Sequence, residues 1–190
     1  MSIVKTELEG VYIIEPKVFG DARGYFFESY SKERFFQETG YDIDFVQDNE
    51  SMSSYGVLRG LHFQKGEHAQ SKLVRVVQGK VLDVAVDIRK GSPTFGKYVS
   101  VELSGENHRQ LFIPRGFAHG FVVLSETAVF QYKCDNYYAP QSEGAVAWND
   151  PDLGIDWGVP AEDILLSEKD RNHPVLKDAP ELFDYNAKLY

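Results

Sequence analysis

K-V-L-D-V-A-V-D-I, residues 80–88, is the stretch that decides the fold. Leu82, Val84, Val86 and Ile88 recur at every second position, with Asp83 and Asp87 on the opposite parity. A strand turns successive side chains to opposite faces, whereas a helix needs apolar residues three and four apart. The run therefore reads as a β-strand with an apolar face and a polar one. Gln78-Gly79 forms the turn before it, and the alternation already begins at Lys72. Downstream, residues 92–96 read as a loop, and residues 98–103, 110–114, 116–124 and 127–135 as further strands. Upstream, residues 10–16 and 43–49 read as strands. Residues 56–76 read as two short strands joined by a polar turn. Many short strands with turns every ~8–12 residues imply a sandwich or barrel of mainly antiparallel sheet.

One early helix is expected over residues 31–39: Ser31 can cap it, Glu33 lies in its first turn and Gly40 can end it. Phe35 and Phe36 are expected to anchor it to the sheet. After Asn136 the composition shifts to loop signals such as Asn149-Asp150-Pro151, with a short helical piece at residues 161–166 and prolines at 174 and 180. The expectation is a single domain over residues 1–190, with residues 137–190 packed on the barrel as loops and short helices.

A net charge of −9 argues against a broad nucleic-acid or anionic-membrane surface. Cys134 has no second cysteine to bridge, which fits a reducing compartment. The acidic N-terminus lacks the apolar core of a signal peptide, and no run approaches the ~18 apolar residues of a membrane span. These features point to a soluble cytoplasmic protein.

Residues 56–76 also carry chemistry, because Arg59, His62 and Lys72 fall within them. Imidazole moves protons near neutral pH, an ammonium can hold a developing oxyanion, and a guanidinium grips phosphate oxygens. Together they suit an anionic carbonyl substrate. P-R-G-F-A-H, residues 114–119, resembles the second motif of the cupins, which implies a jelly-roll barrel enclosing a ligand cavity. Metal-binding cupins place a second histidine where this chain has Gln64. His62 and His119 alone fall short of the three protein ligands a catalytic metal usually takes, so no metal is expected.

The chain also resembles the dTDP-4-dehydrorhamnose 3,5-epimerases over nearly its whole length. The resemblance is carried by F-G-D-A-R-G-Y-F-F-E-S-Y, F-V-Q-D-N-E-S, G-V-L-R-G-L-H-F-Q, K-L-V-R-V, I-P-R-G-F-A-H-G-F, Q-Y-K-C-D-N-Y-Y-A-P, S-E-G and L-S-E-K-D, in that order. It implies a cofactor-free homodimer that inverts C3 and C5 of a dTDP-4-keto sugar. It casts His62 as the base, Asp170 as its carboxylate partner, Tyr132 as the acid on the opposite face and Lys72 as the enolate stabiliser. Arg23, Glu28, Gln47, Asn49, Arg59, His119, Glu143 and Lys169 match positions lining the nucleotide-sugar site, with Arg23 and Glu28 acting across the subunit interface. Spacing alone would read Asp170 as a surface turn residue, Tyr132 as core and Lys72 as a strand-edge charge.

Parity adds two expectations. Ala128, Phe130 and Tyr132 share one face, which turns Tyr132 inward. Arg59 and His62 fall on opposite faces of a regular strand unless a bulge at Gly60 brings them together. Related cupins that invert one carbon, or shift the ketone, and a non-catalytic nucleotide-sugar binder are the alternative readings.

Overall fold

The computed structural model describes residues 1–190. In chain order the elements begin with β1 (Ser2–Lys5), β2 (Tyr12–Glu15), β3 (Phe19–Asp21), β4 (Gly24–Phe26) and the helix α1 (Lys32–Thr39). The barrel strands follow: β5 (Gln47–Ser54), β6 (Leu58–Gln64), β7 (Lys72–Gln78), β8 (Lys80–Asp87), the short β9 (Arg89–Lys90) and β10 (Tyr98–Ser104). They continue as β11 (Gln110–Ile113), β12 (Phe117–Val123) and β13 (Thr127–Cys134), with β14 (Glu143–Ala145) and β15 (Phe183–Asp184) in the tail. A six-stranded sheet runs β1-β2-β11-β7-β13-β5 and a five-stranded sheet β10-β8-β12-β6-β14. Every pair within these two sheets is antiparallel, and the mainly β jelly-roll architecture is as expected. No helix is long and apolar enough to cross a membrane.

Three apolar layers hold the sheets. Between them lie Val74, Val76, Leu111 and Phe130 of one sheet and Val81, Ala85, Leu103 and Phe121 of the other. Outside the five-stranded sheet, Leu153, Trp157, Leu176 and Phe183 of the tail cover Leu58, Leu61, Phe63, Val84 and Val86. Outside the six-stranded sheet, α1 covers Ile14, Leu73 and Phe112 with Phe35. β8 is thus buried on both faces, and the expected polar face is a correction: Asp83 and Asp87 are fully buried. Asp87 is neutralised by Arg89 at 2.8 Å and held by the hydroxyls of Ser92 and Thr94.

The helix begins and ends where its caps place it. Ser31 Oγ accepts from Arg34 N, and Gly40 closes the last turn at φ 77°. Phe35 is 1% exposed but Phe36 is 49% exposed, so only one of the two anchors the helix. Neighbours on a helix point in different directions, and one sheet cannot receive both. Burying one such ring contributes about 1.5–3 kcal/mol against about 1 for a cap, so docking rather than capping holds this eight-residue helix.

The strand expected at residues 43–49 instead occupies Gln47–Ser54. It is an edge strand paired only with β13, so its polar sequence shows no apolar alternation. β6 and β7 do not pair with each other. A short 3-10 turn, Gly66–His68, carries the chain from one sheet to the other. In the N-terminal loop the structure adds an exposed two-stranded hairpin, β3–β4.

Candidate active site

Gly60 decides which residues of β6 face the interior. Leu58, Leu61 and Phe63 enter the outer layer, yet Arg59 and His62 both line one interior cavity. The expected irregularity is present: His62 pairs with His119, but Arg59 pairs with Phe121, so three residues of β6 span two of β12. Gly60 takes φ 144°, and a Cβ there would sit 2.5 Å from Gly120 Cα. Only glycine tolerates both the conformation and the approach. The Gly60–Leu61 peptide is cis.

The cavity, about 470 Å³, gathers Arg59, His62, Lys72, His119, Tyr132, Lys169 and Asp170 against walls that include Phe121, Phe130 and Leu166. A volume of that order suits a small organic ligand. His62 Nε2 lies 2.5 Å from Asp170 Oδ1. Burial pushes the Asp170 carboxyl up, but the bond and charge of His62 and the bonds of His173 and Ser167 outweigh it, leaving it below the ordinary range. An ionised Asp170 must accept, so His62 donates Nε2–H and its Nδ1 lone pair is left to take a proton.

Lys72 projects from β7, with Nζ 5.9 Å from the centre of the Tyr132 ring and no carboxylate in ion-pair contact. Burial holds its ammonium below the ordinary lysine range, opposed by Cys134, Asp83 and Glu143. A cation so placed gains when negative charge appears beside it. Tyr132 packs on the interior layer beside Phe130, and burial raises its phenol above the ordinary value, keeping it protonated. His119 Nε2 lies 3.0 Å from both Asp83 oxygens. Burial pushes His119 down and Asp83 up, which favours a neutral imidazole donating to the carboxylate. Arg59 Nε donates to Ser53 Oγ at 3.3 Å, and no carboxylate pairs with its guanidinium.

Other expected site residues stand around this centre. Asn49 is level with Tyr132 on the neighbouring strand, and its amide points at Cys134 Sγ. Gln47 donates to Asn49 and accepts from Tyr138 N. Lys169 pairs with Glu143 at the rim. Arg23 and Glu28 are not brought to the cavity of their own chain. Arg23 is 90% exposed and paired with Asp21, and Glu28 is paired with Arg34. Two groups escaped the sequence reading, Asp83 and His173. The signal for Asp83 was present, because a strand apolar at both parities is buried on both faces and forces any acid in it to find a partner.

His62, Asp170 and His173 bring three ligand atoms within 4.8 Å of one another. In this arrangement both imidazole Nε2 atoms are hydrogen-bonded to Asp170 Oδ1. Gln64 is occupied structurally, donating to the carbonyls of His68 and Tyr137 and accepting from Ala139 N.

The family model for dTDP-4-dehydrorhamnose 3,5-epimerase matches residues 5–178. An enzyme of that description from Salmonella typhimurium is 58% identical, covering 94% of this chain and 97% of its own. A dTDP-6-deoxy-D-glucose-3,5-epimerase from Legionella pneumophila, solved in complex with dTDP-4-keto-L-rhamnose, superposes with TM-score 0.94 at 52% identity, covering 98% and 99% of the two chains. A 3'-monoepimerase from Streptomyces bikiniensis, in complex with dTDP-quinovose, superposes with TM-score 0.85 at 37% identity, covering 90% and 86%.

Proposed function

The chain belongs to the dTDP-4-dehydrorhamnose 3,5-epimerase family, and we propose that its interior cavity performs the two inversions by proton transfer from opposite faces of the sugar. The protein is an isomerase with that activity, converting dTDP-4-keto-6-deoxy-D-glucose to dTDP-4-keto-L-rhamnose in dTDP-rhamnose synthesis. The observation that carries the mechanism is the His62–Asp170 contact of 2.5 Å, set in one cavity with the unpaired Lys72 ammonium.

The 4-keto group acidifies the hydrogens at both C3 and C5. His62 Nδ1 takes one of these protons, and the resulting imidazolium is held by Asp170. The carbon–hydrogen electron pair moves onto the ketone oxygen, whose charge Lys72 balances. Imidazole is far too weak a base to do this without such stabilisation. Tyr132 returns a proton to the other face of the same carbon; before the second inversion His62 gives its proton up to solvent and Tyr132 regains one, so no net proton is consumed. Arg59 and Lys169 supply positive charge for the diphosphate.

The decisive measurement is incubation with the 4-keto sugar nucleotide in deuterated water. Exchange at both C3 and C5 with L-lyxo product is expected. Exchange at one carbon alone would mean a mono-epimerase, and no exchange would mean a binding module.

This mechanism needs no metal, since Lys72 supplies the positive charge at the ketone oxygen and Gln64 stands where a metal-binding cupin places its second histidine. Protein freed of metal by chelation is expected to keep full activity. Loss that zinc, iron or manganese restores overturns this.

The active unit is a cytoplasmic homodimer in this reading. The β3–β4 hairpin leaves Phe19, Tyr25 and Phe26 between 55% and 70% exposed, a cluster suited to cover by a second copy, with Arg23 at its tip. Co-expressing Arg23→Ala with His62→Ala subunits is expected to restore part of the activity, because each heterodimer holds one intact site. Heterodimers that form but stay inactive count against the shared site.

A further inference from the structure

Asp170 Oδ1 is shared by two imidazoles. His62 Nε2 lies at 2.5 Å and His173 Nε2 at 3.1 Å, with ring planes at 89° and centres 5.8 Å apart. The two rings differ in what else they reach. His62 is 38% exposed and lines the reaction cavity, whereas His173 is 12% exposed and borders a separate cleft beside Phe63, Glu143 and Lys169. His173 thus reaches the same carboxylate oxygen without lining the reaction cavity.

The chain holds His173 there by local means. It closes the 3-10 turn Asp170–Asn172 and precedes Pro174, and a residue before proline is confined to extended backbone. Its ψ of 148° fits that restriction. Pro174 O accepts from Ala147 N at 2.7 Å, which fixes the next link to the barrel. Donor and carboxylate thus come on one short rigid turn.

We propose that His173 is a positioning residue which, by donating to the same Asp170 oxygen, moderates how strongly Asp170 holds the imidazolium of His62. The inference rests on the reading of His62 as the base. A carboxylate oxygen with one donor concentrates its charge on that donor, and a second donor draws part of it away. With His173 in place, Asp170 can orient His62 without over-stabilising its protonated form, so the base stays available at lower pH. The other charged or titratable groups lining the cavity and the cleft are Lys169 of the same turn, Glu143 of β14, Glu50 of β5, Arg59 of β6, Lys65 just after it, Lys72 of β7, His119 of β12 and Tyr132 of β13.

Two variants separate the donor from the ring. His173→Phe keeps a flat ring without an N–H, and His173→Gln keeps an N–H that does not titrate. In His173→Phe the acid limb of the pH profile of kcat/KM is expected to move up by about 0.5–1 pH unit, because Asp170 acts on His62 alone. His173→Gln is expected to keep the wild-type limb. Long-range proton–nitrogen NMR of the His62 ring is expected to show the Nε2–H tautomer in all three proteins, with the imidazolium persisting to higher pH in His173→Phe than in wild type or His173→Gln. The proposal is overturned if folded His173→Phe retains the wild-type limb and the wild-type NMR titration of His62, or if His173→Gln shifts as far as His173→Phe. The NMR arm reads the effect of His173 on the ring whether or not His62 is the base, so failure of the base assignment is seen separately, in the exchange behaviour of His62→Ala.

Discussion

His62→Ala is expected to abolish deuterium uptake at both C3 and C5, a fall of at least ~10²–10⁴-fold, while nucleotide-sugar binding persists. One imidazole serves both carbons, since both hydrogens are acidified by the same ketone and only one histidine in the cavity has its proton held by a carboxylate at 2.5 Å. His119 cannot take over, because it is buried and turned onto Asp83. The fold is expected to survive. His62 is partly exposed, and Asp170 keeps His173 at 3.1 Å and its own N–H on Ser167 Oγ after the ring is gone. Binding is expected to persist because Arg59 and Lys169 are untouched. Near-normal exchange in a folded His62→Ala protein would falsify the base assignment.

Tyr132→Phe separates removal of a proton from its delivery. His62 alone can take a proton and return it, or a solvent deuteron in its place, to the same face, which exchanges hydrogen without inverting the carbon. Inversion needs a donor on the opposite face, and burial keeps the Tyr132 phenol protonated for that purpose. Removing the hydroxyl keeps the ring beside Phe130 and below Lys72, so packing changes little. The expected result is continued wash-in of deuterium with inverted product formed on the order of 10²–10⁴-fold more slowly. If exchange and inversion fall together, Tyr132 assists enolate formation and another group delivers the proton. If neither falls, Tyr132 is simply part of the interior layer.

Much of the barrel was legible because alternation along a strand is a local signal. The run K-V-L-D-V-A-V-D-I declared β8, and Ala128, Phe130 and Tyr132 declared the inner face of β13. Burial on both faces was foreshadowed by Val81 and Ala85, which share the parity of the two acids. It took the six-stranded sheet packed on that face to make Asp83 an interior group. β5 was misplaced for the converse reason, since an edge strand with one partner has little need of an apolar face. In the site, Gly60 could be read from the conflict between the parities of Arg59 and His62. Asp170 could not be read from spacing. It reaches the cavity on an irregular turn 108 residues from His62, and only the resemblance singled it out. Arg23 and Glu28 lie where a single chain gives them no cavity to face.

The Gly60–Gly120 contact also limits where the sequence can drift. A Cβ on Gly60 would meet Gly120 Cα at 2.5 Å, and a Cβ on Gly120 would meet Arg59 O at 2.8 Å and Gly60 Cα at 3.0 Å. Each position is therefore closed to every other residue by the backbone of its neighbour. No compensating change at the second site can reopen it, because the obstructing atoms are common to all amino acids. Most interior positions can be re-explored by trading volume with a neighbour. Here that route does not exist. A single nucleotide change to alanine at either codon would push β6 off β12 and disturb the register that turns Arg59 and His62 to one side. Substitutions are thus expected to be tolerated at the cavity walls and the outer layers before they are tolerated at the glycine pair, the pivot that turns both side chains to one side.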